Sequence, residues 1–219
     1  IVLGYWDLRG ICESIRYLLH FAEVEFEDKR YTFGSAPDYG CPEWKNDKFN
    51  LGLDFPNLPY LFDGDVKLTQ SLAILRYLAR KYKLVGESEA ETMRLDVLEQ
   101  ELLDLRLKLA KVVYSGPAYE KLREEYLKIL PEKLQLLSNY LGDKKFVNGN
   151  KVTYVDFILY EVLDFNYIFE STSLDAFANL NSFRHRFENL PAIQKYMSSG
   201  KFSRLPIFGP FAAIGGKKE

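Results

Sequence analysis

The alternation of apolar and polar residues is clearest between residues 53 and 80. Residues 60–62 form a short apolar run, and 66–68 alternate between apolar and polar, as expected for a strand with one buried face. The intervening Asp63-Gly64-Asp65 predicts a tight hairpin turn. From Gln70-Ser71 onward, a spacing of three and four predicts a helix whose buried side comprises Leu72, Ile74, Leu75, Leu78 and Ala79.

Earlier segments add a second strand-and-helix unit. Residues 2–6 are an apolar and aromatic strand, 14–22 a helix with one apolar face, and 26–31 a further strand. A long loop follows at 33–40, and Pro42 opens a short helix. The order is β-α-β and then β-β-α, the thioredoxin-like pattern of helices on a mixed sheet. We therefore predict a thioredoxin-like domain over residues 1–83.

Beyond residue 83 the pattern becomes helical. After a polar linker at 84–89, apolar spacing predicts helices at 93–114, 119–141, about 154–163, 180–188 and 192–198. Pro131 should bend or interrupt the second of these, because proline cannot donate the helical hydrogen bond. Thr153 and Asp156 have the spacing of a capping box. The fold class is thus α+β, with an all-helical domain over 90–219 whose tail folds back over the body.

Composition narrows the function. The 219 residues are 47% hydrophobic with a net charge of −2, and no basic run supports nucleic-acid binding. No apolar stretch approaches the ~20 residues that span a membrane, and no signal pattern opens the sequence. Two cysteines and two histidines, widely spaced, argue against a zinc site or a disulfide framework. We expect a cytoplasmic protein without a metal; Lys217-Lys218-Glu219 should be a solvated end.

Two joints in the 53–80 segment are candidate binding features. Pro59 cannot donate to a sheet, and if Leu58-Pro59 is cis the backbone of Leu58 faces a groove. Ser71 lies at a helix start, where free N–H groups and the helix dipole suit a carboxylate. Its hydroxyl equally suits a simple helix cap. These residues alone leave both alternatives open.

Five segments carry a resemblance to a known family. They are GYWDLRG at 4–10, APDY at 36–39, KFNLGLDFPNLPY at 48–60, LTQSLAILRYLARK at 68–81 and VTYVDF at 152–157. The chain resembles cytosolic glutathione S-transferases over nearly its whole length, and its long loop resembles that of the mu class. This implies an enzyme that conjugates reduced glutathione to hydrophobic electrophiles, with glutathione as co-substrate and no cofactor.

The family's chemistry requires a stabilised thiolate. A free thiol has a pKa near ~8.5, so little of it is ionised at pH 7. The resemblance implies that Tyr5 donates a hydrogen bond to the glutathione sulfur; without the resemblance, Tyr5 would be read as a core residue.

The glutathione site is carried over by position. The resemblance implies that Trp6 and Ile11 surround the sulfur and that Trp44 and Lys48 bind the glycyl carboxylate. It implies that Asn57 and Leu58, before a cis Pro59, pair with the peptide backbone of glutathione. Gln70 and Ser71 are implied to bind the γ-glutamyl carboxylate. Asp104 is implied to reach the γ-glutamyl ammonium of the partner subunit's site; alone, it would be a solvated charge. Phe55 is implied to be the key of a homodimer.

The electrophile is expected in an apolar pocket. The resemblance assigns to it Leu8, Phe33, Ala110, Tyr114 and Phe208, with the Tyr114 hydroxyl able to donate to developing charge. Each of these residues could instead be ordinary core. Cys41 departs from the mu pattern, which commonly has Arg there, and this puts the hold on the glycyl end in doubt. Arg106 receives no catalytic role, and Cys12 and Cys41 are read as free thiols.

Two other classes of function remain open. A non-enzymatic ligand carrier or structural protein of this fold usually lacks the thiol-activating residue or the carboxylate clamp, whereas Tyr5, Trp44, Lys48, Gln70 and Ser71 are all present. A specialised isomerase that uses glutathione is the third possibility, and the mu-type loop argues weakly against it. The physiological electrophile, and pairing with sister chains as a heterodimer, are not decided by the sequence.

Overall fold

A computed structural model describes residues 1–216 as a mixed sheet followed by a helical region. The strands are β1 (Val2–Trp6), β2 (Glu27–Tyr31), β3 (Tyr60–Asp63) and β4 (Val66–Thr69). The helices are α1 (Glu13–Phe21), α2 (Pro42–Asp47), α3 (Ser71–Lys81), α4 (Glu89–Val113), α5 (Tyr119–Leu141), α6 (Tyr154–Phe169), α7 (Ala178–Glu188) and α8 (Pro191–Met197). The predicted α+β class is confirmed; Lys217-Lys218-Glu219 lie outside the described residues.

The sheet has the strand order β2-β1-β3-β4. β1 runs parallel to β2, with Tyr5 opposite Arg30, and antiparallel to β3, with Gly4 opposite Tyr60. This arrangement matches the predicted β-α-β and β-β-α units. Because β1 lies inside the sheet, the loop that leaves its carboxyl end at Asp7 emerges between the two units.

The start of α4 differs from the sequence prediction. The helix begins at Glu89 rather than at Met93. The Ser88 side chain accepts a hydrogen bond from the Glu91 backbone N–H at 3.2 Å and caps the helix. The first turn is exposed and lacks the apolar spacing that marked the rest of α4. The domain bounds at 83 and 90 stay a prediction.

Pro131 does not interrupt α5, which runs unbroken from Tyr119 to Leu141. Pro131 lies on the exposed side of this helix, while Leu130 and Leu134 are buried. The missing hydrogen bond therefore falls on the side that water reaches, and packing of the opposite face holds the helix together.

The helical region is organised around α6, whose side chains are almost all buried. Its predicted capping box is confirmed: the Thr153 N–H donates to Asp156 Oδ2 at 2.7 Å. Asp156 Oδ1 also accepts the Val147 N–H at 2.9 Å. α6 packs against both α1 and α4, so it links the sheet region to the helical region.

The tail returns to the loop after β1, as predicted. Arg9 N–H donates to the Pro206 carbonyl and Gly10 N–H to the Ile207 carbonyl, each at 3.0 Å. Ala213 N–H donates to the Val113 carbonyl at 2.8 Å, which ties the tail to the end of α4. The loop after β1, the end of α4 and the tail thus meet at one place. Within residues 1–216 no helix is long and apolar enough to cross a membrane.

Candidate functional site

Tyr5 lies at the centre of this meeting point. Its side chain is 7% exposed, and its hydroxyl oxygen accepts the Ile11 backbone N–H at 3.2 Å. The loop reaches this position through Gly10, whose φ of 44° lies in the left-handed region. A Cβ on Gly10 would stand 2.4 Å from the Tyr5 hydroxyl oxygen, so only glycine fits.

The Tyr5 hydroxyl is a donor that stays protonated. Burial raises its pKa to about 12, against the lowering effects of the Ile11 hydrogen bond and of Arg106 and Arg16. No acceptor within residues 1–216 receives the hydroxyl proton, since the oxygen only accepts from Ile11. The proton is free for a ligand atom in front of the ring, and Ile11, which is exposed, borders that space.

Trp44 and Lys48 lie one helical turn apart at α2, as the sequence predicted. Lys48 N–H donates to the Trp44 carbonyl at 2.9 Å. Cys41 caps this helix, since its sulfur accepts the Trp44 N–H at 3.4 Å. Cys41 therefore helps to fix the backbone of Trp44. Sequence reasoning missed this cap because Cys is a weak acceptor that rarely serves as one.

The Leu58-Pro59 peptide bond is cis, which confirms that prediction. Leu58 N–H is turned to the Asn57 side-chain oxygen at 2.9 Å, while its carbonyl has no hydrogen-bond partner in the part of the chain that the structure describes. The carbonyl thus keeps its capacity to accept a hydrogen bond, although Leu58 as a whole is buried. The N–H becomes open only if the exposed Asn57 side chain turns away.

The start of α3 is an open helix terminus. Gln70 is the residue that precedes the helix and Ser71 the first within it, so Ser71 is not the cap. Neither side chain caps the helix, and the Ser71 hydroxyl makes no hydrogen bond among residues 1–216. Gln70 has a φ of 71°, a left-handed conformation that sequence reasoning did not anticipate. The backbone N–H groups of the first turn are left for an anion.

An aromatic cluster forms the apolar side of the site. Trp6 and Phe33 stack with ring centroids 4.2 Å apart, and Tyr114 meets Phe208 edge-on at 5.7 Å. The Tyr114 hydroxyl oxygen accepts the Gly209 N–H at 2.7 Å, which leaves its proton for a ligand. Leu8 is buried near Gly10, and Ala110 lies one turn before Tyr114 on α4.

Two residues of this cluster were missed. Phe211, from the tail, is 62% exposed, yet its ring lies 6.2 Å from Phe33, 5.3 Å from Tyr114 and 6.2 Å from Tyr39. Tyr39 belongs to the long loop, which closes through a 2.9 Å hydrogen bond from Gly34 N–H to the Gly40 carbonyl. The sequence shows both as aromatic residues in loops, with no periodicity to mark them.

Asp104 and Phe55 remain apart from these groups within one chain. Both are exposed, Phe55 by 74%. Their implied roles involve a partner subunit, so they stay predictions. Cys12 and Cys41 are buried free thiols, as predicted, and burial raises the pKa of Cys12 to about 12.

Other candidate sites are less informative. A cleft of about 980 Å³ between the α1–β2 turn and α8 contains none of the predicted site residues. Its walls mix acidic and basic side chains, among them Glu23, Glu25, Lys195 and Lys201. Across residues 1–216, no group of three or more His, Cys, Asp or Glu side chains is placed to hold a metal ion.

Family comparisons agree with this geometry. Residues 1–80 match the model of the glutathione S-transferase N-terminal domain, and residues 103–200 match that of the C-terminal domain. The chain is 55% identical to glutathione S-transferase Mu 2 of Mus musculus, covering 97% of each chain, and 52% identical to that of Homo sapiens, covering 99% of each.

Solved structures give the same result. The glutathione S-transferase Blo t 8 has a TM-score of 0.89 at 38% identity, covering 98% of this chain and 100% of its own. The Pi-class glutathione S-transferase of Onchocerca volvulus has a TM-score of 0.83 at 33% identity, covering 96% and 98%. The chain therefore belongs to the glutathione S-transferase family and, within it, to the mu class.

Proposed function

We propose that this protein conjugates the thiol of reduced glutathione to hydrophobic electrophiles, and that the Tyr5 hydroxyl stabilises the thiolate. The observation that carries the proposal is the buried, protonated Tyr5 hydroxyl with a free proton and an oxygen already held by Ile11 N–H. A group in this state donates a hydrogen bond but does not act as a base.

The energy required is within reach of one such donor. Lowering the thiol pKa by ~2 units needs about 2.7 kcal/mol. A hydrogen bond to an ionised group contributes about 1.5–3 kcal/mol. Tyr5 can therefore supply most of the shift, with the remainder coming from the surrounding charges.

Glutathione is expected to lie extended across the carboxyl edge of β1. Its γ-glutamyl carboxylate would meet the open start of α3 at Gln70 and Ser71, and its backbone the free carbonyl of Leu58. Its glycyl carboxylate would meet Lys48 and the indole N–H of Trp44, which no group in residues 1–216 accepts. Glutathione serves as a co-substrate, and the expected independence from a cofactor is part of the proposal.

The electrophile would occupy the aromatic cluster beside Tyr5. Leu8, Phe33, Ala110, Tyr114 and Phe208 form its walls, and the free Tyr114 proton faces the region where charge develops on an aromatic electrophile. In the dimer that we propose, Phe55 inserts into the helical region of the partner, and Asp104 reaches the partner's γ-glutamyl ammonium. The exposure of both side chains supports this arrangement.

The test is turnover of glutathione with 1-chloro-2,4-dinitrobenzene for wild type and Tyr5→Phe between pH 6 and 9. We expect Tyr5→Phe to lose about 10- to 100-fold in rate near pH 6.5, the equivalent of ~1.5–3 kcal/mol, and to recover as the pH rises. Tyr167→Phe, a tyrosine exposed on α6, is the matched control and should behave as wild type.

The opposite result is equally clear. If wild type binds glutathione without turnover, or if Tyr5→Phe is silent at every pH, then the assignment of Tyr5 is wrong and the carrier alternative is favoured.

A further inference from the structure

Three buried arginines surround the loop that follows β1. Arg9 forms ion pairs with Glu161 and Asp164 of α6, and Arg16 with Glu13 and Asp28. Arg106, from α4, is 9% exposed. Unlike the other two, it has no ion pair within 4 Å among the residues that the structure describes.

An unpaired buried cation is expensive to maintain. Transfer of a charge out of water without a partner destabilises the charged form, and burial accordingly lowers the pKa of Arg106. Glu161 attracts it from a distance, but the Glu161 carboxylate is engaged by Arg9, which itself repels Arg106. The face of the Phe165 ring, 5.0 Å from the guanidinium carbon, is a weak substitute for an anion.

Arg106 faces the site through one direct contact. Its Nη2 donates a hydrogen bond to the carbonyl of Gly10. Gly10 packs against the Tyr5 hydroxyl, and the next residue, Ile11, donates its N–H to that same hydroxyl. Arg106 also borders, with Ile11 and Ser71, a cavity of about 20 Å³, which is enough for one water molecule. The Arg106 guanidinium therefore contacts Gly10, the residue that packs against the Tyr5 hydroxyl. That hydroxyl is the group expected to bind the glutathione sulfur.

We infer that Arg106 is a positioning residue for the thiolate: it anchors the Gly10 carbonyl so that Ile11 holds the Tyr5 hydroxyl, and its uncompensated charge favours an anion in front of Tyr5. The missing partner of Arg106 is then the glutathione thiolate itself. This inference rests on the proposed function and deepens it, because it adds a second source of thiolate stabilisation.

The charged and titratable groups around Arg106 are compatible with this role. Those that interact with it are Glu161 on α6, Tyr5 on β1, and Arg9 and Cys12 in the loop and at the start of α1. Burial raises the pKa values of Tyr5 and Cys12 to about 12, so both are neutral between pH 6 and 9. Burial raises the pKa of the Glu161 carboxyl, and its ion pair with Arg9 lowers it.

The experiment separates charge from hydrogen bonding. The pKa of bound glutathione is measured from thiolate absorbance near 240 nm in the binary complex of the full-length protein. Arg106→Met removes both charge and donor, Arg106→Gln keeps a donor without charge, and Arg106→Lys keeps the charge. Arg123→Met, which removes an arginine paired with Glu170 away from the loop, is the control.

We expect Arg106→Met to raise the thiol pKa by about one unit, because the loss of a nearby cation in a partly dry site destabilises the thiolate. Arg106→Gln should raise it by less than Arg106→Met, because it keeps a donor for the Gly10 carbonyl. Arg106→Lys should raise it least, and Arg123→Met not at all. The kcat/KM of Arg106→Met should recover at high pH. If Arg106→Met does not fold, Arg106→Gln, which lacks the charge, is compared with Arg106→Lys, which keeps it.

A thiol pKa within 0.2 of wild type in Arg106→Gln and Arg106→Met overturns the inference. Tyr5→Phe in the same titration keeps the two proposals apart. A shift with Tyr5→Phe and none with the Arg106 variants rejects only the role of Arg106. No shift with Tyr5→Phe rejects the proposed function.

Discussion

The hydroxyl of Tyr5 lies directly against the α-carbon of Gly10, with space for a hydrogen atom but not for a methyl group. A Cβ at Gly10 would lie 2.4 Å from the hydroxyl oxygen and 2.5 Å from a methyl carbon of Leu8. Tyr5 lies in β1 and Gly10 in the loop that follows, five positions later in the sequence. It fixes where the hydroxyl stands relative to the loop that provides the Ile11 N–H.

This contact predicts a strong effect of Gly10→Ala. The added methyl group would displace the Tyr5 ring or the loop, so kcat/KM should fall by at least ~10-fold, about 1.4 kcal/mol of transition-state stabilisation. The left-handed φ of 44° adds a folding cost of about 1 kcal/mol. Activity with 1-chloro-2,4-dinitrobenzene and thermal unfolding measure the two effects.

Gly64→Ala is the control for backbone strain. Gly64 has a φ of 61°, but a Cβ there would meet nothing within 4 Å. The substitution should cost similar stability and leave kcat/KM unchanged. Equal activity losses in the two variants would attribute the Gly10 effect to strain and not to the Tyr5 contact.

The pH dependence of wild type should report the glutathione thiol and not Tyr5. Burial raises the pKa of Tyr5 from 10.0 to about 12, so the hydroxyl remains protonated and able to donate up to at least pH 10. At saturating glutathione, the kcat/KM for the electrophile should rise with pH through the pKa of the bound thiol. That pKa is near ~6.5 if it is lowered by ~2 units, and the rate should then stay level to pH 9.5. Stopped-flow or steady-state rates in a constant-ionic-strength buffer measure the profile.

A fall in kcat/KM between pH 8 and 9.5 would contradict this expectation. It would mean that Tyr5 loses its proton in that range and that its site is less dry than the structure indicates. Inactivation at high pH is excluded as a cause by returning each sample to pH 7 and measuring the activity again.

Much of the fold could be predicted because its signals are local. The hairpin at β3 and β4, the helix α3 and the capping box at Thr153 and Asp156 each depend on residues within a few positions of one another. Some of the site residues expected from the resemblance, such as Tyr5, Asn57 and Ser71, lie within the contiguous segments that carry it. Others, such as Trp44, Asp104 and Phe208, lie outside those segments. The contacts of Arg106 and Phe211 could not be predicted in this way. Arg106 reaches Gly10 across 96 positions, and Phe211 reaches Phe33 across most of the chain.

The Cys41 cap was missed for a different reason. The sequence shows a Cys one residue before the Pro that opens α2, but not that its sulfur turns back to the Trp44 N–H. Likewise, the left-handed φ at Gln70 is imposed by the crossing from β4 to α3, and a polar residue at that position gives no sign of it.

The Cys41 cap predicts a graded effect on glutathione binding. Cys41→Ala removes the acceptor for Trp44 N–H, and loss of an N-cap costs about 0.5–1 kcal/mol. The short helix α2 positions Trp44 and Lys48, so the KM for glutathione should rise about two- to five-fold. Cys41→Ser keeps an acceptor and should match wild type or bind slightly tighter. Steady-state kinetics at fixed electrophile, with isothermal titration of glutathione, give both values.

Cys12→Ala serves as the comparison for Cys41→Ala. Cys12 is also a buried free thiol, but it caps no helix with its side chain. Cys12→Ala should lose stability without raising the KM for glutathione. An unchanged KM in Cys41→Ala would show that α2 keeps its position without the cap.

The position of Phe211 predicts a change in electrophile preference. Its ring lies against those of Phe33, Tyr39 and Tyr114, and 62% of the residue is exposed. A flat aromatic electrophile can stack there, and an aromatic pair contributes about 0.5–1.5 kcal/mol beyond burial. Phe211→Leu should therefore lower kcat/KM for 1-chloro-2,4-dinitrobenzene about three- to ten-fold. For an acyclic enal such as trans-2-nonenal, which needs apolar contact but no ring, it should change less than two-fold.

Tyr39→Leu should reproduce part of this selective loss, because Tyr39 supports the Phe211 ring from the long loop. Tyr167→Leu, an exposed aromatic residue on α6, should leave both electrophiles unaffected. Equal losses for the aromatic and acyclic electrophiles in Phe211→Leu would mean that the ring only shapes the tail. A selective loss would mean that the tail and the long loop, which meet through the rings of Phe211 and Tyr39, together determine the preference for aromatic electrophiles.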